Sequence, residues 1–317
     1  MGKRMTFVTE EEGIDVFLKS KHVDFELAVQ NPVYQTAWIP KNVFLALHEK
    51  LYVLMKGKMG TFSMHQFTGQ LTEEFHEQLE ALGTHGTMDL NNFVRHLFYP
   101  ATVNTLFKKG LFFTNERKIK EFYQHFKTYD EGFEYGSQLP EWLLSCGLTI
   151  VISFTQTLLQ AVLDIVELET FQHSPNYVLL LLWASLANAS PIAFWTLAFV
   201  LSHPDIHKTV LEGISSVFGT AGKYKIKVSE DDLKKLPLIK WCVLEAIRLR
   251  APGVITRKVV KPVKILERWK EANLDKNAFL DCFMAFGGGK FQCPGRVLNI
   301  TFVNKSDEAP SSTELVF

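Results

Sequence analysis

Three short patterns in this sequence hold residues that could do chemistry. The first is Phe286-Gly287-Gly288-Gly289-Lys290-Phe291-Gln292-Cys293-Pro294-Gly295-Arg296. Three glycines, a cysteine and a Pro-Gly pair predict a tight loop with a sulfur near its end. Backbone N–H groups aimed at that sulfur would favour thiolate over thiol. A thiolate held in this way can ligate a metal or act as a nucleophile. The same run also reads as a glycine-rich turn carrying an incidental cysteine. No histidine follows His207, so a base for a nucleophilic Cys293 would have to come from a distant segment.

The second pattern is Glu245-Ala246-Ile247-Arg248. A spacing of three puts both charges on one helix face, where they can pair. An exposed pair contributes only about 0.3–0.5 kcal/mol. The neighbours Ile239, Trp241, Val243, Leu244, Ile247 and Leu249 are apolar, which predicts a buried pair with an architectural role. The third pattern is Ala187-Asn188-Ala189-Ser190-Pro191, inside a long apolar run. Proline there removes one helical hydrogen bond and frees a carbonyl. Such a break with a lone Asn188 can border a ligand cavity, or be a simple kink in a core helix.

The elements around these patterns are mainly helical. Apolar residues at helical spacing predict helices over Thr9–Lys19, Pro40–Lys56, Met64–Leu82, Leu90–Phe107 and Asn115–Tyr129. Glu131–Pro140 reads as a loop because it holds Gly132, Gly136 and Pro140. Trp142–Val166 reads as a buried or interfacial helix. Val178–Leu201 is uncharged and long enough to span a membrane, yet its central polar cluster favours a central helix of a large core. Pro204 opens a helix that ends at Gly219, and Ser229-Glu230-Asp231-Asp232 has the form of a capping box. Pro237–Arg250 is amphipathic and carries Glu245 and Arg248. Val254–Ile265 is β-branched and is the best strand candidate. Asn304–Phe317 is polar and reads as a disordered tail.

Composition limits the function classes. The 317 residues hold 34 basic and 34 acidic side chains, so no net charge favours a nucleic-acid partner. The hydrophobic share of 47% suits a globular fold and excludes a wholly disordered chain. The 26 phenylalanines permit an apolar ligand but suit an ordinary core equally well. Cys146, Cys242, Cys282 and Cys293 form neither a C-x-x-C pair nor a Cys/His set at zinc spacing.

Taken together and in this order, the patterns resemble a cytochrome P450. F-x-x-G-x-x-x-C-x-G matches Phe286, Gly289, Cys293 and Gly295, and E-x-x-R matches Glu245 and Arg248. A long apolar helix with a central break precedes both. Ala-Asn-x-x-Pro followed by Phe194-Trp195 is similar to the sterol and bile-acid branch of that family. So are the stretches MTFVTEEEGIDVFLKSK, LLLLWASLANASPIAFWTLA, LEAIRLRAPGVITRKVVKPV and FLDCFMAFGGGKFQCPGR.

The resemblance implies a mainly α cytochrome P450 fold with small β elements. It also implies haem b, with electrons from NADPH through NADPH–cytochrome P450 reductase. The implied activity is a monooxygenase acting with O2 on an oxysterol of the 24-hydroxycholesterol type. It would hydroxylate the 7α position, in cholesterol catabolism and bile-acid synthesis. The implied location is the cytosolic face of the endoplasmic reticulum membrane. By the same resemblance Cys293 is the axial ligand of haem iron, and Arg257 pairs with a haem propionate. Phe286 packs near the sulfur, Glu245 and Arg248 hold the core beneath the haem, and Asn188 lies on the distal face. Lys290 is a further candidate for a propionate.

The chain also departs from the family's pattern. Arg248 and Cys293 are only 45 residues apart, fewer than the family has. The segment Val259–Ile265 runs straight into Glu267-Arg268-Trp269, where a strand pair and the start of a meander are expected. Leu143–Gln156 does not match, and neither an N-terminal anchor nor the helix that follows the cysteine is recognisable. The expectation is an internally deleted member truncated at both ends, with residues 1–303 one incomplete domain and 304–317 a tail. Such a chain could also be a haem-free, non-catalytic product, since each large apolar side chain left uncovered forfeits about 1.5–3 kcal/mol.

Overall fold

The computed structural model describes residues 8, 11–58, 61–83, 86–107, 109, 115–138, 174–219, 228–251, 255–262 and 286–293. Among the described residues helices dominate. They are α1 (Glu11–Lys19), α2 (Glu26–Ala37), α3 (Lys41–Lys58), α4 (Thr61–Leu82), α5 (Leu90–Phe107), α6 (Glu116–Gln138), α7 (Ser174–Ala187), α8 (Ala189–Ser202), α9 (Pro204–Phe218), α10 (Glu230–Lys234) and α11 (Pro237–Arg250). Two short strands, β1 (Val23–Asp24) and β2 (Lys258–Val259), pair antiparallel with Val23 opposite Val259.

The core forms around α5. Its residues Leu90, Phe93, Val94, Leu97, Phe98 and Ala101 recur at helical spacing and are buried. They meet Leu71 and Phe75 of α4, Phe122 and Phe126 of α6, and Leu179, Leu182 and Leu186 of α7 in one cluster. Ile192, Ala193 and Leu197 of α8 join that cluster, together with Val243 and Ile247 of α11. A helix apolar on most sides is stable only when neighbours cover it on most sides. Here that requirement is met by packing α4, α6, α7 and α8 around α5.

The apolar run reads as expected. Leu179–Ser202 is long and apolar enough to cross a membrane by length and composition, yet its buried residues at helical spacing line this core. It breaks at Asn188, between α7 and α8. Asn188 Nδ2 donates to the carbonyl of Ala184 at 3.4 Å. Pro191 sits in the first turn of α8, where its missing N–H costs least. Arg250, at the end of α11, lays its guanidinium 3.8 Å from the ring centroid of Trp195 and fixes α11 against α8.

Local capping follows the sequence. Asn115 Oδ1 accepts the N–H of Lys118, and Asp89 Oδ1 accepts that of Asn92, at the starts of α6 and α5. Ser229 and Asp232 form the expected capping box at the start of α10. The helix opening at Pro204 ends at Gly219, whose φ of +81° suits a residue without a Cβ.

Three expectations need correction. Residues 131–138 are not a loop, because α6 continues through Gly132 and Gly136 to Gln138. Phe133 stacks on Trp183 at 3.5 Å between centroids, while Trp183 Nε1 donates to Asp130. That packing outweighs a glycine cost of about 1 kcal/mol each. Helix α2 was not expected; Pro32 lies inside it, and its buried residues Val33, Gln35, Thr36 and Ala37 crowd into its last turn instead of recurring along it. The predicted strand over Val254–Ile265 pairs only at Lys258–Val259 within the described residues. It is extended by the N–H of Val260, which donates to the carbonyl of His22. The segment Trp142–Val166 and the tail Asn304–Phe317 lie outside the described residues.

Two outcomes test this packing. Phe98→Ala empties a fully buried position and is expected to cost about 3–5 kcal/mol in urea unfolding. In the capping box, hydrogen bonds from Lys235 and then Ser229 hold Asp232 down at about 2 against an ordinary 3.8. A depressed folded value means that the contribution is present above the ordinary carboxylate value and fades as pH falls through about 2. Ser229→Ala is expected to cost about 1 kcal/mol at pH 7 and to blunt that acid dependence in melts between pH 5 and pH 2.

Candidate functional site

Cys293 ends a loop that has little regular structure of its own. Gly289–Phe291 form one 3-10 turn. Gly287 has φ +67°, a conformation that glycine adopts without strain. The loop lies on α1 so closely at Gly288 that an added Cβ would come within 2.6 Å of Leu18 Cδ1. The N–H of Cys293 donates to the carbonyl of Phe286 at 2.9 Å and closes the loop. The ring of Phe286 packs against the main core. Cys293 is exposed, and Gly295 lies outside the described residues.

An aromatic seat on α2 and α3 holds the loop. Phe291 packs 5.2 Å from Phe25, 5.4 Å from His48 and 5.5 Å from Tyr52, measured between ring centroids. His48 is itself oriented by Glu26, 2.9 Å from its Nδ1. Tyr52 Oη donates to the carbonyl of Gln292 at 2.5 Å. Burial, and then the neighbouring Cys293, push the Tyr52 phenol above its ordinary value. Lys290 reaches Glu49 at 2.7 Å, so the second propionate candidate is already in an ion pair.

Arg257 reaches the same seat through Phe25. It immediately precedes β2, whose pairing with β1 brings it beside Phe25. Its guanidinium lies 4.8 Å from the Phe25 ring centroid and 5.4 Å from that of Phe17. Partial burial lowers its pKa and Asp24 opposes the shift. Thus Arg257, Phe25 and Phe291 form a continuous contact that ends two residues before Cys293. A cysteine at an exposed loop end, with a cation on the aromatic seat that holds the loop, is a donor set that fits an iron porphyrin with anionic propionates.

Glu245 and Arg248 pair as their spacing predicts, but not as a buried pair. Arg248 Nε and Nη2 form a fork to Glu245 at 2.7 Å and 2.6 Å, and Arg248 holds the Glu245 carboxyl below its ordinary pKa. The two side chains are 51% and 53% exposed. Trp241 and Leu249 share that face at 46% and 48% exposure, while Ile239, Val243 and Ile247 face the core. Reading all the apolar neighbours as one buried surface merged two opposite faces of α11. Among the described residues the pair bonds only to itself, and Arg268, which the resemblance implies as its third partner, lies outside them. Asn188 is likewise exposed. The structure therefore brings Phe286, Gly289, Cys293 and Arg257 into one region, and among the described residues no contact carries Asn188, Glu245 or Arg248 into it.

Sequence reasoning missed Phe25, His48, Glu49 and Tyr52. The last three share a face of α3 at i, i+1 and i+4, a pattern that reads as ordinary helix packing. Their partner lies 240 positions away. The exposed fork makes a simple forecast for α11. Arg248→Gln is expected to change stability by less than about 1 kcal/mol in urea unfolding, whereas a buried pair would cost about 3–5 kcal/mol when broken.

Comparison with known proteins adds the family. Residues 145–267 match the family described as Cytochrome P450. The chain is 67% identical to 24-hydroxycholesterol 7-alpha-hydroxylase of Mus musculus, over 93% of this chain and 74% of that protein. It is 66% identical to the Homo sapiens protein of the same name, with the same coverage. The 25-hydroxycholesterol 7-alpha-hydroxylase of Rattus norvegicus is 25% identical over 73% of this chain and 62% of that protein. The mouse match spans 347 residues, whereas 93% of 317 is about 295. Roughly fifty matched positions of the relative therefore face no residue here. With two-thirds identity across nearly all of its length, and an E-x-x-R helix and cysteine loop in the expected order, this chain belongs to the cytochrome P450 family.

Proposed function

We propose that this chain is a haem-thiolate monooxygenase for an oxysterol of the 24-hydroxycholesterol type, acting at the 7α position in cholesterol catabolism and bile-acid synthesis. The observation that carries the reading is the 67% identity to a protein named for that reaction, together with Cys293 at the exposed end of a pinned loop. Cys293 would hold the haem iron, and Arg257 would neutralise a propionate. Phe286 would anchor the loop to the core, through its ring, and to the cysteine, through its carbonyl. Gly289 and Gly295 would let the backbone pass close to the porphyrin. Glu245 and Arg248 would brace α11, and Asn188 would face the distal side. When bound, the haem would supply the one-electron and oxygen chemistry that side chains lack. Electrons would come from NADPH through NADPH–cytochrome P450 reductase, at the cytosolic face of the endoplasmic reticulum membrane.

A second reading has its own support. Roughly fifty matched positions are missing relative to the mouse protein, and α11 exposes Trp241, Leu249 and its charge fork. These observations favour a haem-free product without catalytic activity. One experiment separates the two. The haem-supplemented chain is reduced, exposed to carbon monoxide and compared with Cys293→Ala. The monooxygenase reading expects a red-shifted Soret band that the substitution abolishes, followed by turnover of 24-hydroxycholesterol. A spectrum indifferent to the substitution would leave the non-catalytic reading standing.

A further inference from the structure

We propose that Tyr52 is a positioning residue for the Cys293 ligand, fixing from α3 the peptide unit that immediately precedes the cysteine. The proposal rests on the haem-thiolate reading above. The Gln292–Cys293 peptide is held at both ends. Its carbonyl accepts from Tyr52 Oη at 2.5 Å, and its N–H donates to the carbonyl of Phe286 at 2.9 Å. A peptide group is planar, so pinning its two polar ends removes rotation of the whole plane. That plane sets the direction from which the Cα–Cβ bond of Cys293 leaves the backbone. Two hydrogen bonds on one peptide also polarise each other, which strengthens both.

The two restraints have different origins. The bond to Phe286 belongs to the loop and moves with it. The bond to Tyr52 ties the loop to a helix 240 positions away in sequence. Tyr52 is itself held by burial and by an edge-on contact between its ring and Phe291. A phenol is protonated at neutral pH without any help from its surroundings. The hydroxyl therefore remains a donor at neutral pH. Lys290 and Glu49 also join the loop to α3, but both are more than half exposed, so their pair restrains the loop weakly.

Tyr52→Phe keeps the ring and removes only the hydroxyl. Two readouts follow. In the haem-free chain, amide hydrogen exchange at Cys293 is expected to quicken by about two- to tenfold, the change that one net hydrogen bond commands. In the haem-loaded, reduced and carbon-monoxide-bound chain, the unshifted Soret form is expected to gain on the red-shifted form by a similar factor. Glu49→Gln is expected to leave both readouts within about twofold, as an exposed pair should. Faster exchange together with a larger unshifted share supports the proposal. Unchanged exchange overturns it, as does faster exchange with an unchanged band ratio, which would mark Tyr52 as structural only. A wild-type chain without a Cys293-dependent band would end the haem-thiolate reading by itself. The exchange measurement alone would then decide whether Tyr52 fixes this peptide.

Discussion

The site depends on an aromatic seat that the cysteine loop does not itself supply. Between Phe286 and Cys293 the loop has one 3-10 turn, too little internal bonding to fix a sulfur in space. Phe25, His48 and Tyr52 receive Phe291 instead, and α1 meets Gly288. Each edge or offset ring contact is worth only about 0.5–1.5 kcal/mol beyond burial. Several converging on one side chain give the loop a single resting place. The β1–β2 pairing adds Arg257 to the same seat. A cation from a separate segment is thus joined to the cysteine loop through the rings of Phe25 and Phe291.

Much of the fold was legible because it obeys local rules. The bounds of α5 and α11, the proline start of α9 and the Ser229 capping box follow from periodicity and terminal chemistry. The Cys293 loop was legible for a similar reason, since its glycines and cysteine sit within eight residues. The extension of α6 was not, because its cause is the stack of Phe133 on Trp183, fifty positions away in sequence. The seat on α3 was hidden for the same reason. Nothing local separates a tyrosine that holds a distant carbonyl from one that fills a core.

The charge fork on α11 illustrates a different limit. Its pairing is local and was readable from the spacing. Its burial is decided by what covers that face, and this depends on distant chain. The exposed Trp241 and Leu249 beside it show that the face has apolar capacity which the described residues do not use. Roughly fifty positions matched in the mouse relative have no counterpart here. The E-x-x-R spacing therefore fixes the pairing but leaves the exposure of the pair to the chain around it. A motif specifies a contact, whereas its environment needs the rest of the protein.

The 240-position separation between Tyr52 and Gln292 also has a meaning in time. A ribosome adding about 5–20 residues per second would make the seat roughly 10 to 50 seconds before the loop that fills it. During that interval Phe25, His48 and Tyr52 form an apolar notch without its natural plug. Anything with an exposed aromatic side chain, including a second nascent chain, could occupy it first. The segment that carries Cys293 is thus also the segment whose late arrival covers these rings.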